Sequence, residues 1–168
     1  MSETSPVASD DLNPFTVSPP DSPVAVTFGK PEQPHGDELT FFEVHLVAEG
    51  LNAGIVAESL SGDWGVRELP EQSEGDVTRF EDISLSGFLR ELGGAMPWDG
   101  FKRWRSLADE LSFGASCDLS GHVTLVAAIR PRPWEPTWEA SATFMYALGD
   151  LPSVADALEL WFTSRRAR

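Results

Sequence analysis

The sequence contains few of the residues that enzymes and metal proteins commonly use. It has one cysteine, Cys117, which cannot form a disulfide within the chain and fits a reducing compartment. Its three histidines, His35, His45 and His122, share no metal-ligand spacing. It also lacks the motifs of a nucleophile elbow, a phosphate-binding loop and a dinucleotide-binding turn. We therefore predict no catalytic residue, no metal site and no cofactor.

Long apolar runs are also missing. No stretch approaches the roughly 20 apolar residues that a membrane-spanning helix needs. The first residues are rich in Ser, Pro and Asp, and they lack the basic and apolar regions of a secretory signal. The net charge of −15 opposes contact with nucleic acid and with anionic lipid. We therefore expect a cytoplasmic protein that binds neither nucleic acid nor membrane.

Basic residues are scarce in the first part of the chain. Residues 1–96 hold 18 acidic and 4 basic side chains, whereas residues 97–168 hold 9 and 8. Such charges are usually a solvated surface, but a concentrated negative field also speeds association with a basic protein. The imbalance therefore predicts a functional acidic surface in the first part.

The composition divides the chain into three regions. Residues 1–22 contain four prolines and four acidic residues, which predicts a disordered acidic tail. Residues 23–163 carry most of the large apolar side chains, and we expect them to form a single domain. Residues 164–168 form a basic C-terminal end.

Hydrophobic periodicity predicts the secondary structure of the domain. Alternating apolar residues predict six strands, at residues 23–28, 38–48, 53–59, 110–117, 122–130 and 138–148. Helical spacing predicts amphipathic helices over residues 82–92 and 150–162. For the first of them, Asp82 or Ser84 is available as the N-cap, and Gly93 and Gly94 mark the end.

The intervening segments are predicted as a long loop over residues 61–80 and a short helix over residues 98–107. The resulting order is β-β-β-α-β-β-β-α. We therefore predict an α+β fold with two layers. A mostly antiparallel sheet of about six strands would carry the two main helices on one face.

The loop over residues 61–80 is where we place the acidic surface. An aromatic side chain stands there among carboxylates, a combination that suits contact with a basic protein. The candidate interaction residues in this loop are Asp63, Trp64, Glu68, Glu71, Glu74 and Asp76.

Trp134 is a further candidate for interaction. It lies in the proline-rich segment of residues 130–138, which predicts a stiff connector between two strands. An exposed Trp134 would be a contact anchor. In the alternative, its ring folds back onto the core.

Glu43 and His45 project from the same face of a predicted strand. An acid–base pair is geometrically allowed there, and a surface pair is the alternative. A small-molecule or enzymatic pocket would be lined by Trp98, Trp104 and Trp138, with Glu43, His45 or Glu139 supplying polar groups.

A further pattern lies in the second part. It comprises Trp104-Arg105-Ser106-Leu107, Gly121-His122-Val123-Thr124-Leu125, Trp138-Glu139-Ala140 and Leu160-Trp161-Phe162. The pattern resembles a family of small uncharacterised actinobacterial proteins, over about residues 23–163. The resemblance implies a shared fold and no known activity. In size, charge and architecture the chain is also similar to the immunity proteins of bacterial toxin systems.

Three functions are compatible with these observations. The leading hypothesis is a non-enzymatic interaction protein, such as an immunity-type inhibitor, that docks an acidic surface on a basic protein partner. The alternative is a small-molecule-binding or enzymatic domain with the Trp-lined pocket. A structural subunit or homodimer is the third, and the sequence leaves the oligomeric state open.

Overall fold

The computed structural model describes residues 13–34, 36, 38–69, 78–132 and 137–166. These residues form one ten-stranded sheet and two α-helices. The strands are β1 Phe15–Val17, β2 Ala25–Phe28, β3 Leu39–Ala48, β4 Leu51–Leu60, β5 Trp64–Leu69, β6 Arg79–Ser84, β7 Lys102–Arg105, β8 Leu111–Cys117, β9 His122–Ile129 and β10 Ala140–Ala147. The helices are α1 Leu85–Gly94 and α2 Leu151–Arg166, and a 3₁₀ turn, Leu148–Asp150, precedes α2.

The strand pairs of the sheet are antiparallel throughout. The order across the sheet is β1-β2-β3-β4-β5-β7-β8-β9-β10, and β6 pairs with β5 as a branch. The predicted α+β class and antiparallel sheet are confirmed. The predicted number of about six strands is wrong, because β1, β5, β6 and β7 lie in segments predicted as tail, loop or helix.

The predicted hairpin of β3 and β4 forms the longest pairing in the sheet. All ten residues of each strand are paired, from Leu39 with Leu60 to Ala48 with Leu51. Gly50 turns the chain with a φ of 71°, a conformation that glycine adopts without strain. Phe42 and its alternate neighbours face the core, so Glu43 and its alternate neighbours face solvent.

Residues 61–80 are not a long loop. They contain β5 and the first two residues of β6, and the two strands pair from Trp64 and Ser84 to Leu69 and Arg79. Residues of β6 are largely exposed, so the alternation that marks a half-buried strand is missing from the sequence. Residues 70–77, between the two strands, lie outside the described residues.

Residues 98–107 contain a strand, β7, where a short helix was predicted. Trp104 is fully buried there, and its neighbours Arg103 and Arg105 are half-buried. The aromatic spacing of three residues is misleading, because Trp98 and Phe101 precede the strand. The Trp104 indole packs on Phe113, with ring centroids 6.4 Å apart.

The domain begins before Pro23, where the sequence predicted a tail. β1 pairs with β2, and Val17 belongs to the hydrophobic core. Proline-rich flanks obscure this three-residue strand in the sequence. Residues 1–12 of the predicted tail lie outside the described residues. At the other end, α2 continues through Arg166, into the segment predicted as a basic end.

The helices pack on each other and on the inner side of the sheet. Ser84 is the N-cap of α1, because its hydroxyl accepts a hydrogen bond of 2.9 Å from the Gly87 N–H. In α2 the ring of Phe162 packs edge-on against Phe28 and Phe42. Strand β3 also contacts β9 and β10, so both ends of the sheet share one core.

Candidate interaction surface

The outer side of β3 and β4 brings three glutamates together. Phe41 stands opposite Glu32 on one side and Glu58 on the other, and Glu43 stands opposite Val56. Residues directly opposite in antiparallel strands project from the same face. We call this surface, carrying Glu32, Glu43 and Glu58 around Phe41 and Val56, the acidic sheet face.

The acidic sheet face is open to solvent. The Val56 side chain at its centre is 55% exposed, while α2 packs on the opposite side of the sheet. A shallow depression of about 230 Å³ is lined by Lys30, Glu32, Phe41, Glu43 and Val56. In the described part of the chain, no lysine or arginine lies within 4.0 Å of the three carboxylates. Lys30 is the one cation that lines this depression, so the face keeps a net negative charge of three carboxylates against one ammonium.

Glu43 and His45 are neighbours on this face, as the strand period predicts. His45 Nε2 lies 3.7 Å from Glu43 Oε2, and both side chains are exposed. The imidazole lies over Gly54, where a Cβ would come within 2.8 Å of Nδ1. Because both side chains are exposed and 3.7 Å apart, the geometry is that of a surface pair.

The second part of the chain holds its charges in a different way. Asp109 is buried, and its carboxylate contacts three arginines: Arg103 at 3.3 Å, Arg105 at 3.9 Å and Arg130 through a hydrogen bond. We call these four residues the arginine cluster. Asp109 has a φ of 60°, in the left-handed region that Asp tolerates better than most residues. The cations of this cluster are therefore bound within the fold.

Two more arginines are bound by pairs of carboxylates. Arg67 contacts Glu81 and Glu91, and Arg90 contacts Asp156 and Glu159. Hydrogen bonds to its two carboxylates hold the pKa of Arg90 above the ordinary value. These pairs link β5, β6 and the two helices.

A buried acid adjoins the arginine cluster. Burial raises the pKa of Glu110, although hydrogen bonds oppose this effect. One of these bonds comes from the Ser106 hydroxyl, 3.1 Å from the Glu110 carboxylate. Glu110 therefore stabilises the turn between β7 and β8 and is not part of an exposed surface.

The structure places the predicted interaction residues of the 61–80 segment in different environments. Asp63 is 7% exposed, and its carboxylate accepts a hydrogen bond of 2.8 Å from the Ser86 N–H at the start of α1. Trp64 is exposed at the start of β5. Glu68 lies 3.4 Å from Arg103. The other predicted residues, Glu71, Glu74, Asp76 and Trp134, lie outside the described residues.

The three tryptophans of the predicted pocket are not equivalent. Trp104 is a core residue, and its indole N–H donates a hydrogen bond of 3.0 Å to the Ile83 carbonyl. Trp98 is half-buried beneath the Lys102 ammonium, and Trp138 is exposed. Glu139 lies 4.0 Å from Arg130, at the edge of the arginine cluster. None of the three tryptophans lines the depression on the acidic sheet face.

Sequence reasoning missed the acidic sheet face because its members are far apart in the chain. The alternation of β3 places Glu43 outward, but only the register with β4 and with Glu32 shows the other two carboxylates. A signal was present in the outward positions of β4, where Glu58 follows Val56 by two residues.

The described residues contain neither a cluster of metal ligands nor a membrane-spanning helix. Among these residues, no group of three or more histidine, cysteine, aspartate or glutamate side chains could hold a metal ion. Neither α1 nor α2 is long and apolar enough to cross a membrane.

Residues 17–165 match a family described as a family of unknown function, DUF6228. Because the match covers most of the 168 residues, the chain belongs to this family. No curated protein matches the chain, and no solved structure does.

Proposed function

We propose that this DUF6228 protein is a non-enzymatic interaction protein that docks its acidic sheet face on a basic protein partner. One observation carries the proposal. Five arginines are bound to carboxylates within the fold, whereas in the described part of the chain no arginine or lysine lies within 4.0 Å of the exposed Glu32 and Glu43 or of the half-buried Glu58.

The acidic sheet face has the anatomy of a binding surface. Val56 and Phe41 supply an apolar centre, and the three glutamates surround it. Protein interfaces commonly combine an apolar centre with a polar rim. The carboxylates would steer a basic partner towards the face and exclude acidic proteins.

The partner class that we favour is a basic toxin-like protein, with this chain as its immunity-type inhibitor. The net charge of −15 and the small single core support this assignment, because charge complementarity accelerates capture of a basic partner. The single cysteine fits the bacterial cytoplasm as the compartment.

The test compares two triple variants of equal charge. One carries Glu32→Gln, Glu43→Gln and Glu58→Gln. The control carries Asp21→Asn, Asp82→Asn and Asp150→Asn, at exposed positions that have no ion pair in the described part of the chain. Each variant is used to capture proteins from the source cell, and the association rate of the captured basic protein is then measured at several salt concentrations.

We expect the glutamine variant to lower the association rate about tenfold and to flatten its salt dependence. The control variant should retain most of the association rate and most of its salt dependence. Equal losses in the two variants would show that net charge acts alone and would contradict a defined surface. Binding that is independent of salt, or the absence of any captured basic protein, would contradict the proposal altogether.

A further inference from the structure

The sheet has free strand edges at β1, β4, β6 and β10, and three of them are protected. β1 has only three residues and lies between prolines. β6 is charged at Arg79, Glu81 and Asp82. In the described residues, β4 meets β5 at one pair of residues, and the rest of its edge borders the acidic sheet face. Short length, proline and charge are the features by which natural sheets prevent pairing at an edge.

β10 is the edge strand that lacks these features. It has eight residues, ASATFMYA, and contains neither a charged residue nor a proline. Its strand partner among the described residues is β9 alone. A long edge of this kind presents unpaired N–H and C=O groups to another strand. The free edge of β10 therefore offers a ready template for pairing.

The pairing of β10 with β9 shows which backbone groups face the free edge. Directly beyond the paired residues, the Leu148 N–H donates a hydrogen bond of 2.8 Å to the Gly121 carbonyl. Bonded positions alternate along an antiparallel ladder, so every second residue of β10 directs its backbone away from β9. These edge-facing residues are Ser141, Thr143, Met145 and Ala147. Within the described residues, no backbone hydrogen bond reaches their N–H and C=O groups from the free side.

The outer surface beside this edge is uncharged. The side chains of the four edge-facing residues are exposed, and Thr143 and Met145 stand opposite Val126 and Thr124 of β9. Because the chain has a net charge of −15, two copies of it repel each other. This repulsion is smallest where both copies present an uncharged surface. The edge of β10 is such a surface, whereas the free edge of β4 beside the acidic sheet face is not.

We propose that β10 binds the β10 of a second copy of this chain, so that the two sheets join in antiparallel across a two-fold axis. When Thr143 of one copy stands opposite Met145 of the other, all four edge-facing residues exchange backbone hydrogen bonds. Phe144 then lies at the centre of the pairing. Since each copy uses its one β10 edge, association ends at the dimer. The proposal is independent of the acidic sheet face.

The first test measures the mass of the full chain by sedimentation equilibrium. The concentrations run from about 1 μM to about 1 mM, which covers the affinities of transient dimers. We expect a reversible equilibrium between monomer and dimer. Higher salt should tighten the dimer, because it screens the repulsion between two negative copies. This sign is opposite to the salt effect expected for a basic partner. A monomer at every concentration, or growth beyond the dimer, overturns the proposal.

Hydrogen exchange then locates the contact. The amides of the four edge-facing residues should exchange about tenfold more slowly in the dimer than in the dilute monomer. The amide of Phe144 points towards β9 and should exchange equally in both. A dimer without this protection contradicts the assigned edge. Slow exchange of the four amides in the monomer would show that another segment of the same chain covers the edge, and this result also overturns the proposal.

Variants at Thr143 test the backbone pairing directly. Thr143→Pro removes an N–H that β9 does not use, so it should weaken the dimer about tenfold in a protein that remains folded. Thr143→Val is the matched control, because valine keeps both the N–H and the β-branched shape. It should leave the dimer unchanged. Circular dichroism checks the fold, and equal dimerisation of the two folded variants contradicts the proposal.

A second pair of variants leaves the backbone intact. Thr143→Lys places a charge on the edge and should also weaken the dimer about tenfold. Thr124→Lys adds the same charge to the same face one strand further in, and it should have a much smaller effect. Equal weakening by both would assign the contact to the outer face and would contradict pairing at the edge. The glutamine variant of the acidic sheet face should dimerise at least as tightly as the unmodified chain, so the two proposals fail separately.

Discussion

The acidic sheet face and the arginine cluster use similar charged residues in opposite ways. In the arginine cluster, one buried carboxylate contacts three guanidinium groups within the fold. On the acidic sheet face, three glutamates surround the exposed Val56, and among the described residues no arginine or lysine lies within 4.0 Å of them, although Lys30 lines the same depression. The first arrangement stabilises the protein, whereas the second leaves charge for a partner.

This contrast shows which acidic residues of the first part of the chain are free to act on a partner. The first part of the chain has an excess of 14 acidic residues, but some of its acids are structural. Asp63 accepts a hydrogen bond from the first turn of α1, and Glu81 and Glu91 bind Arg67. Pairing within the fold, and not the local count of charges, therefore decides which carboxylates can act on a partner.

Asp109→Asn should give the largest effect on stability. Asparagine keeps the size of the side chain and tolerates the left-handed backbone, but it removes the charge that the three arginines share. We expect the free energy of unfolding to fall by about 3 kcal/mol, since a partner of a buried ion pair is removed. Urea denaturation measures this change.

The control for this prediction is Asp82→Asn on β6, where the carboxylate is exposed and has no ion pair in the described part of the chain. It should change stability by less than about 0.5 kcal/mol. If Asp109→Asn were equally mild, the arginine cluster would be no more than a set of surface pairs, and the contrast with the acidic sheet face would be lost.

Some strands of the fold could be predicted from the sequence and others could not. Six strands and both helices were predictable, because their apolar residues recur with the period of a strand or a helix. β6 is exposed on both faces, and β1 has only three residues between prolines. Strands of these kinds have no periodic signal, so only their pairing partners reveal them.

The candidate surfaces were predictable in part. The acidic character of the first part and the outward position of Glu43 follow from composition and alternation. The gathering of Glu32 and Glu58 around Phe41 depends on strand register, which a single sequence does not fix.

Gly93→Ala should give the next largest loss of stability. Gly93 lies where α1, from the first part of the chain, meets α2, from the second part. A Cβ at this position would lie 2.4 Å from Pro152 Cδ and 3.1 Å from the Leu148 carbonyl oxygen. We expect a loss of about 1–3 kcal/mol in the free energy of unfolding, from overpacking between the helices.

Gly94→Ala is the matched control, because a Cβ at Gly94 has no atom within 4 Å. Alanine there should be neutral or should stabilise the helix by up to about 1 kcal/mol. Thermal unfolding of the two variants checks the difference. Similar stabilities would show that the helices separate easily and that the two parts are joined mainly through the sheet.

Ionisation of Tyr146 should have the smallest effect on stability at neutral pH. Its titration nevertheless reports directly on the contact between the two parts of the chain. It is the single tyrosine of the chain, so tyrosinate absorbance reports one group. Burial, followed by the negative charge of Asp150, raises the pKa of Tyr146 from 10.0 to about 12, although a backbone hydrogen bond from Ser18 opposes the shift. We expect the folded protein to titrate near this value and the denatured chain near the ordinary one.

The consequence for stability has a defined sign. Because the pKa of Tyr146 is higher in the folded state, its contribution is fully present below pH 10.0 and is lost as the pH rises towards about 12. Asp150→Asn removes one cause of the shift and should lower the pKa of Tyr146, whereas Asp82→Asn should leave it unchanged. Circular dichroism, followed in the same titration, separates ionisation in the fold from unfolding. A folded protein whose tyrosine titrates with the pKa of the denatured chain would mean that β10 does not bury this ring, and that the second part of the chain is less closely packed than the acidic first part.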